Sequence, residues 1–179
     1  NDSINTAAIQ RGVEINVYEG ADGSDTITGA PALNQPARFF ANSGNNSSFD
    51  LSYTAPNLRV QFDADSPSIV SGLDNVQIFG DDFKQTITAA STSGAAAISL
   101  YIEPGGDNDT VNLTSWNSTE NSNYVWFDAD DNDVVSALAA ARLVANITPG
   151  GFSAVHSLSL QPSGAGAKFT QTLPNAYIV

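Results

Sequence analysis

The chain has 179 residues, no cysteine or methionine, and 19 acidic against 6 basic residues, a formal net charge of −13. That balance argues against a nucleic-acid partner, since little positive charge is available to neutralise phosphates. The missing cysteines exclude a disulfide framework and thiolate metal sites.

The length fits one domain or one block of repeats, and no apolar run is long enough to span a membrane. Glu14, Glu19, Glu103 and Glu120 are the only glutamates, so the acidity is mostly aspartate. Aspartate is a poor helix former and a good turn former, and it points to turns between strands. Absence of both sulfur residues suits exposure to oxidants outside a cell. A first residue of Asn1 is expected of a processed product or a piece of a longer protein.

Residues 1–12 read as a polar lead-in, and residues 13–135 as repeated strand–turn–strand units. Strand-like pieces recur at Val13–Tyr18, Ala37–Ala41, Leu58–Phe62, Val76–Phe79, Ile98–Ile102 and Tyr124–Phe127. A polar or acidic turn follows each, then a second strand containing in turn Ile27, Leu51, Ile69, Ile87, Val111 and Val135. The clearest internal echo sets Val60–Asp65 (VQFDAD) against Val125–Asp130 (VWFDAD). Another sets Asp25–Gly29 (DTITG) against Gln85–Ala89 (QTITA).

Residues 136–179 begin with an alanine-rich break, Ser136–Ala145, read as a short helix or capping turn. Terminal strands follow, among them Ala154–Leu160, Lys168–Leu173 and the apolar Ala176–Val179.

Alternation with Gly, Asn and Asp punctuation makes the chain all-β. Units of like sequence, roughly 16–25 residues apart, favour a right-handed parallel β-solenoid of irregular coils. Val17, Phe62, Ile78, Ile102 and Phe127 are then expected to stack as an inner ladder. An antiparallel β-sandwich is the alternative.

The acidic turns are the main chemical candidates. Asp22 and Asp25, Asp63 and Asp65, Asp107 and Asp109, and the quartet Asp128, Asp130, Asp131 and Asp133 place carboxylates two or three residues apart. Calcium takes six to eight oxygen ligands at flexible geometry, and a cation relieves the repulsion within such a cluster. Solvated surface turns are the competing reading.

Gly20, Gly23, Asp25 and Ile27 match the pattern G-G-x-G-x-D-x-U-x, with Ala21 replacing one glycine. Gly105, Asp109 and Val111 match in a second copy, and Asp133 with Val135 in a third. In this the chain resembles RTX-type calcium-binding repeats, although its copies are set far apart rather than contiguous. Leu73–Ser91 and Val155–Leu173 resemble the Ala/Thr/Gly-rich segments of bacterial surface-layer proteins that carry such repeats. The resemblance implies bound Ca2+, secretion to a cell surface, and assembly with copies of itself.

Catalysis finds little support. His156, the only histidine, sits in an alternating stretch without a nucleophile elbow. The carboxylates lie in turns without a basic partner. Trp116, Tyr124 and Trp126, with nearby asparagines, form a candidate sugar-stacking platform. Asn45, Asn46, Asn108, Asn112, Asn117 and Asn146 sit in sequons of the kind this composition produces by chance. The sequence therefore favours a secreted, calcium-stabilised structural subunit of a surface layer or filament, with no enzymatic role. The alternative is an adhesin or phage-type receptor-binding module that recognises glycans.

Overall fold

A computed structural model describes residues 2–8, 15–18, 25–29, 36–41, 44–92, 96, 98–117, 123–127, 133–138, 143–147 and 157–161. In chain order the strands are β1 Ser3–Asn5, β2 Ile15–Tyr18, β3 Thr26–Thr28, β4 Pro36–Phe40 and β5 Ser47–Thr54. There follow β6 Asn57–Phe62, β7 Ser68–Ser71, β8 Asn75–Phe79, β9 Gln85–Ser91 and β10 Ser99–Glu103. The last are β11 Thr110–Ser115, β12 Asn123–Phe127, β13 Val134–Leu138, β14 Leu143–Ile147 and β15 Ser157–Gln161. The protein is all-β.

Two sheets account for every strand among the described residues. One has nine strands in the order β1-β3-β7-β6-β5-β9-β11-β13-β15, and the other six in the order β14-β12-β10-β8-β4-β2. Apart from β5–β7, which lie together in the larger sheet, successive strands alternate between the two. Antiparallel pairing is confined to β5–β6 and β6–β7. All other ladders are parallel, as between β8 and β10 or β9 and β11.

The sequence produces this arrangement through period-two patterning. In β4, β8 and β10 the central residues alternate buried and half-buried. Register then places Val17 beside Phe39, Phe39 beside Ile78, Ile78 beside Ile102, and Ile102 beside Val125. Phe39, Ile78, Ile102 and Val125 are fully buried. Each such side chain contributes on the order of 1.5–3 kcal/mol by leaving water. On the larger sheet, Phe49, Ile87, Val111 and Val135 form the facing row.

Several expectations need correction. Phe62 does not join the inner ladder of the smaller sheet, because β6 is the middle strand of an antiparallel excursion in the larger one. There its ring packs on Phe49 at 4.9 Å between centroids. Phe39 takes the expected place of Phe62, Val125 is the residue of β12 beside Ile102, and the Phe127 side chain lies outside the described residues. The VQFDAD and VWFDAD phrases are thus not equivalent.

The alanine-rich break is also not a helix where it is described. Val134–Leu138 and Leu143–Ile147 are strands in opposite sheets, since tertiary pairing overrides alanine's helical preference. The supposed lead-in contributes β1, which pairs with β3. His156 and the segments 168–173 and 176–179 lie outside the described residues.

Turns of neighbouring units touch backbone to backbone. The Gly80 amide donates to the Glu103 carbonyl at 2.8 Å, and the Gly106 amide to that of Asp81 at 3.0 Å. A methyl group on Gly80 would overlap the Pro104 carbonyl, and Gly105 has φ of 98° against Asp81. We expect Gly80→Ala to cost roughly 2 kcal/mol or more, because rigid backbone must move. Thermal unfolding should show a loss of roughly 4–8 °C; an unchanged melting temperature would contradict this stacking.

Candidate functional site

Parallel strands that alternate between sheets put every connection from the smaller sheet to the larger on one edge. Most described acidic turn residues lie there: Asp25, Asp63, Asp65, Asp81, Asp82, Asp107, Asp109 and Asp133. Among the described residues only Asp74 occupies a turn on the opposite edge.

At this edge a polar side chain at or just before the start of a strand reaches the equivalent residue of the next unit. Asp133 Oδ1 accepts from the Asp109 amide at 2.9 Å, and Asp109 Oδ1 from the Gln85 amide at 2.7 Å. The Ser47 hydroxyl donates to Gln85 Oε1 at 2.6 Å. Beyond the β5–β7 excursion the pattern resumes: Ser68 Oγ accepts from the Asp25 amide at 3.1 Å, and Asp25 Oδ1 from the Asp2 amide at 2.8 Å. Asp109 and Asp133 are only 1 % exposed.

The aspartates that match the RTX pattern (Asp25, Asp109 and Asp133) therefore hold equivalent places. Each spends a carboxylate oxygen on a neighbour's backbone amide. Gln85 belongs to the same row, and its side-chain amide donates to Asp81 Oδ1 at 2.8 Å. The QTIT phrase beside DTIT already aligned Gln85 with Asp25, which was the signal for its role.

Other candidates close turns. Asp63 has φ of 46°, a left-handed conformation that a short polar side chain tolerates. Its Oδ1 accepts from the Ser48 amide at 2.7 Å and the Ser48 hydroxyl at 3.1 Å. The Asp65 amide donates to the Phe62 carbonyl at 2.9 Å. Asp107 has φ of 70°, is exposed, and accepts from the Asn108 amide at 2.8 Å. Asp107 and Asp109 thus differ sharply in burial despite their spacing. Among the described residues, no three His, Cys, Asp or Glu side chains are grouped to hold a metal ion. Asp22, Asp128, Asp130 and Asp131 lie outside the described residues.

The sugar platform does not come together as expected. Trp116 is fully buried, its indole N–H donating to Asn123 Oδ1 at 3.2 Å, its ring edge-on to Tyr53 at 6.4 Å. Asn123, itself buried, also accepts from the Leu100 amide at 3.0 Å. A ring enclosed in this way cannot stack on a sugar. Tyr124 is 41 % exposed on the outer side of the smaller sheet, and the Trp126 side chain lies outside the described residues.

A longer aromatic row runs across that outer face. Tyr18 stacks on Phe40 at 5.1 Å, Phe40 on Phe79 at 4.8 Å, and Phe79 meets Tyr101 at 5.8 Å. The Tyr101 hydroxyl donates to Glu103 Oε2 at 3.1 Å.

Comparison with protein-family models, characterised proteins and solved structures finds no match to this chain.

Two outcomes follow. Asp109→Ala should cost about 1–3 kcal/mol, the penalty for stranding a buried amide. Asp109→Asn keeps an acceptor oxygen and should cost less, as chemical denaturation of the pair would read. Separately, burial first, and then the charge and hydrogen bond of Glu103, push the Tyr101 hydroxyl up from 10.0 to about 12. The unfolded chain therefore loses this proton first, so the contribution of Tyr101 is complete below pH about 10 and fades between pH 10 and about 12. Ultraviolet titration should show a tyrosine ionising near pH 12 that Tyr101→Phe removes.

Proposed function

We propose that the chain is a structural module of an extracellular, cell-surface assembly, built as a parallel β-solenoid of irregular coils and stabilised by calcium. The observation that carries this reading is the stack of acidic turns along a single edge. Parallel ladders and shared corner positions support the solenoid, with β5–β7 as an excursion within one coil. The chemistry of the described residues is structural: carboxylates hold neighbouring amides and aromatic rings stack.

Among the described residues, calcium enters this reading as an ion bridging neighbouring turns rather than one held by three grouped carboxylates. Exposed carboxylates such as Asp107 and Asp82, with carbonyls of stacked turns, are the donors this edge offers. They suit a hard cation that tolerates varied geometry. Such open sites belong with the weak extracellular class, with dissociation constants roughly 10⁻⁴–10⁻³ M.

At about 10 mM calcium, one such site contributes about 1.4–2.7 kcal/mol. For a chain of this length that raises the melting temperature by roughly 3–10 °C. The rise should reverse with EDTA and exceed that given by sodium chloride at matched ionic strength. A melting temperature that follows ionic strength alone would overturn the calcium reading.

A further inference from the structure

We infer that the outer face of the six-stranded sheet is a self-association surface, on which a second copy of this chain docks face to face. The inference rests on the assembly part of the proposed function and not on calcium. It starts from the aromatic row. Tyr18 is 65 % exposed and Tyr124 41 %, and between them Phe40, Phe79 and Tyr101 are half-buried. A contiguous apolar strip of this kind on a broad, shallow sheet face marks a contact surface.

Ring geometry distinguishes between occupants. The Tyr18–Phe40 and Phe40–Phe79 pairs are nearly parallel, at 19° and 12° between planes. Rings stacked on one another along the sheet cover each other's faces and turn their edges outward. A sugar stacks on an open ring face, which this trio leaves only at its Tyr18 end. Ring edges instead suit close packing against another apolar surface, including edge-to-face contact with further rings.

Charge permits a second copy here. The chain carries a net charge of −13, so most of its surface repels another copy. Among the described outward positions of the smaller sheet, only Arg38 and Glu103 are charged, and their signs cancel. Arg38 is also held in place by its Nε donating to Gln77 Oε1 at 2.8 Å. Here two copies meet without the repulsion of the acidic edge. Six strands about 4.8 Å apart, with about five residues each, make a face on the order of 25 by 16 Å. That is a few hundred Å² per copy, at the small end for a specific contact and so a weak, reversible one.

Sedimentation velocity of the full chain from about 1 to about 500 μM tests this, with and without calcium. Mass should climb from the 18.6 kDa monomer towards a dimer in both conditions. The exposed-site double variant Tyr18→Lys/Tyr124→Lys should weaken association at least tenfold, with circular dichroism and melting temperature unchanged. If association persists undiminished in the variant, this face is not the contact, while the assembly reading stands. A chain monomeric at every concentration and calcium level overturns both. A monomeric chain that binds a glycan, and loses that binding in the variant, assigns the face to a sugar instead.

Discussion

A parallel ladder that turns a corner leaves backbone amides at the start of the next strand facing the unit beside it. In this protein those amides bind a short polar side chain from the adjacent turn. The Gln85 amide is held by Asp109 and the Asp109 amide by Asp133, each partner 24 residues further along the chain. The constraint is demanding because the acceptor must reach sideways by about one strand spacing while its own backbone enters a strand. Aspartate has the right length, and serine serves on the other side of the excursion, where Ser68 holds Asp25. With the corner fixed, register follows, and the inner residues of β9, β11 and β13 fall into line.

The β5–β7 excursion shows what that register can absorb. It inserts three strands into the larger sheet where the smaller sheet has only β4. The inner face of the extra hairpin is filled by large side chains, among them Phe49, Leu51, Leu58 and Phe62. At its acidic end Asp63 closes the gap by capping Ser48, so the row of polar acceptors continues across an antiparallel strand. Asp63 therefore substitutes, from a different backbone direction, for what Asp109 does in the regular part.

Strand positions were legible because period-two alternation and Gly/Asp punctuation are local, and among the described residues the strands expected before residue 136 exist within a residue or two. Pairing partners were not. VQFDAD and VWFDAD read alike, yet one runs antiparallel within the larger sheet and the other parallel within the smaller. Nothing local tells a strand in which direction its neighbours run. The alanine-rich Ser136–Ala145 misled for a related reason: intrinsic preference is worth tenths of a kcal/mol per residue and yields to a ladder. Of the site, the acidic turns and the equivalence of Asp25, Asp109 and Asp133 were visible. Their use as amide acceptors was not, because burial separates Asp109 from Asp107 and spacing alone does not. Trp116 was misplaced for the same reason, as an indole amid asparagines reads as exposed until Asn123 is seen buried against it.

Topology also determines where the charge goes. Because strands alternate between sheets, the residues that face outward belong to ladders, while the residues that turn belong to edges. Like charges directly opposite each other in a ladder are destabilising, so a chain this acidic does best with its aspartates in the turns. There they cap backbone or meet water and ions. The outer faces are then left to side chains that tolerate repetition at strand spacing: stacked rings on the smaller sheet, and Thr86, Thr88, Thr110 and Asn112 on the larger. A single rule, that neighbours in a parallel ladder must accept copies of themselves, thus yields an acidic edge and neutral faces together. It concentrates carboxylates on one side of the molecule and keeps them off the broad faces.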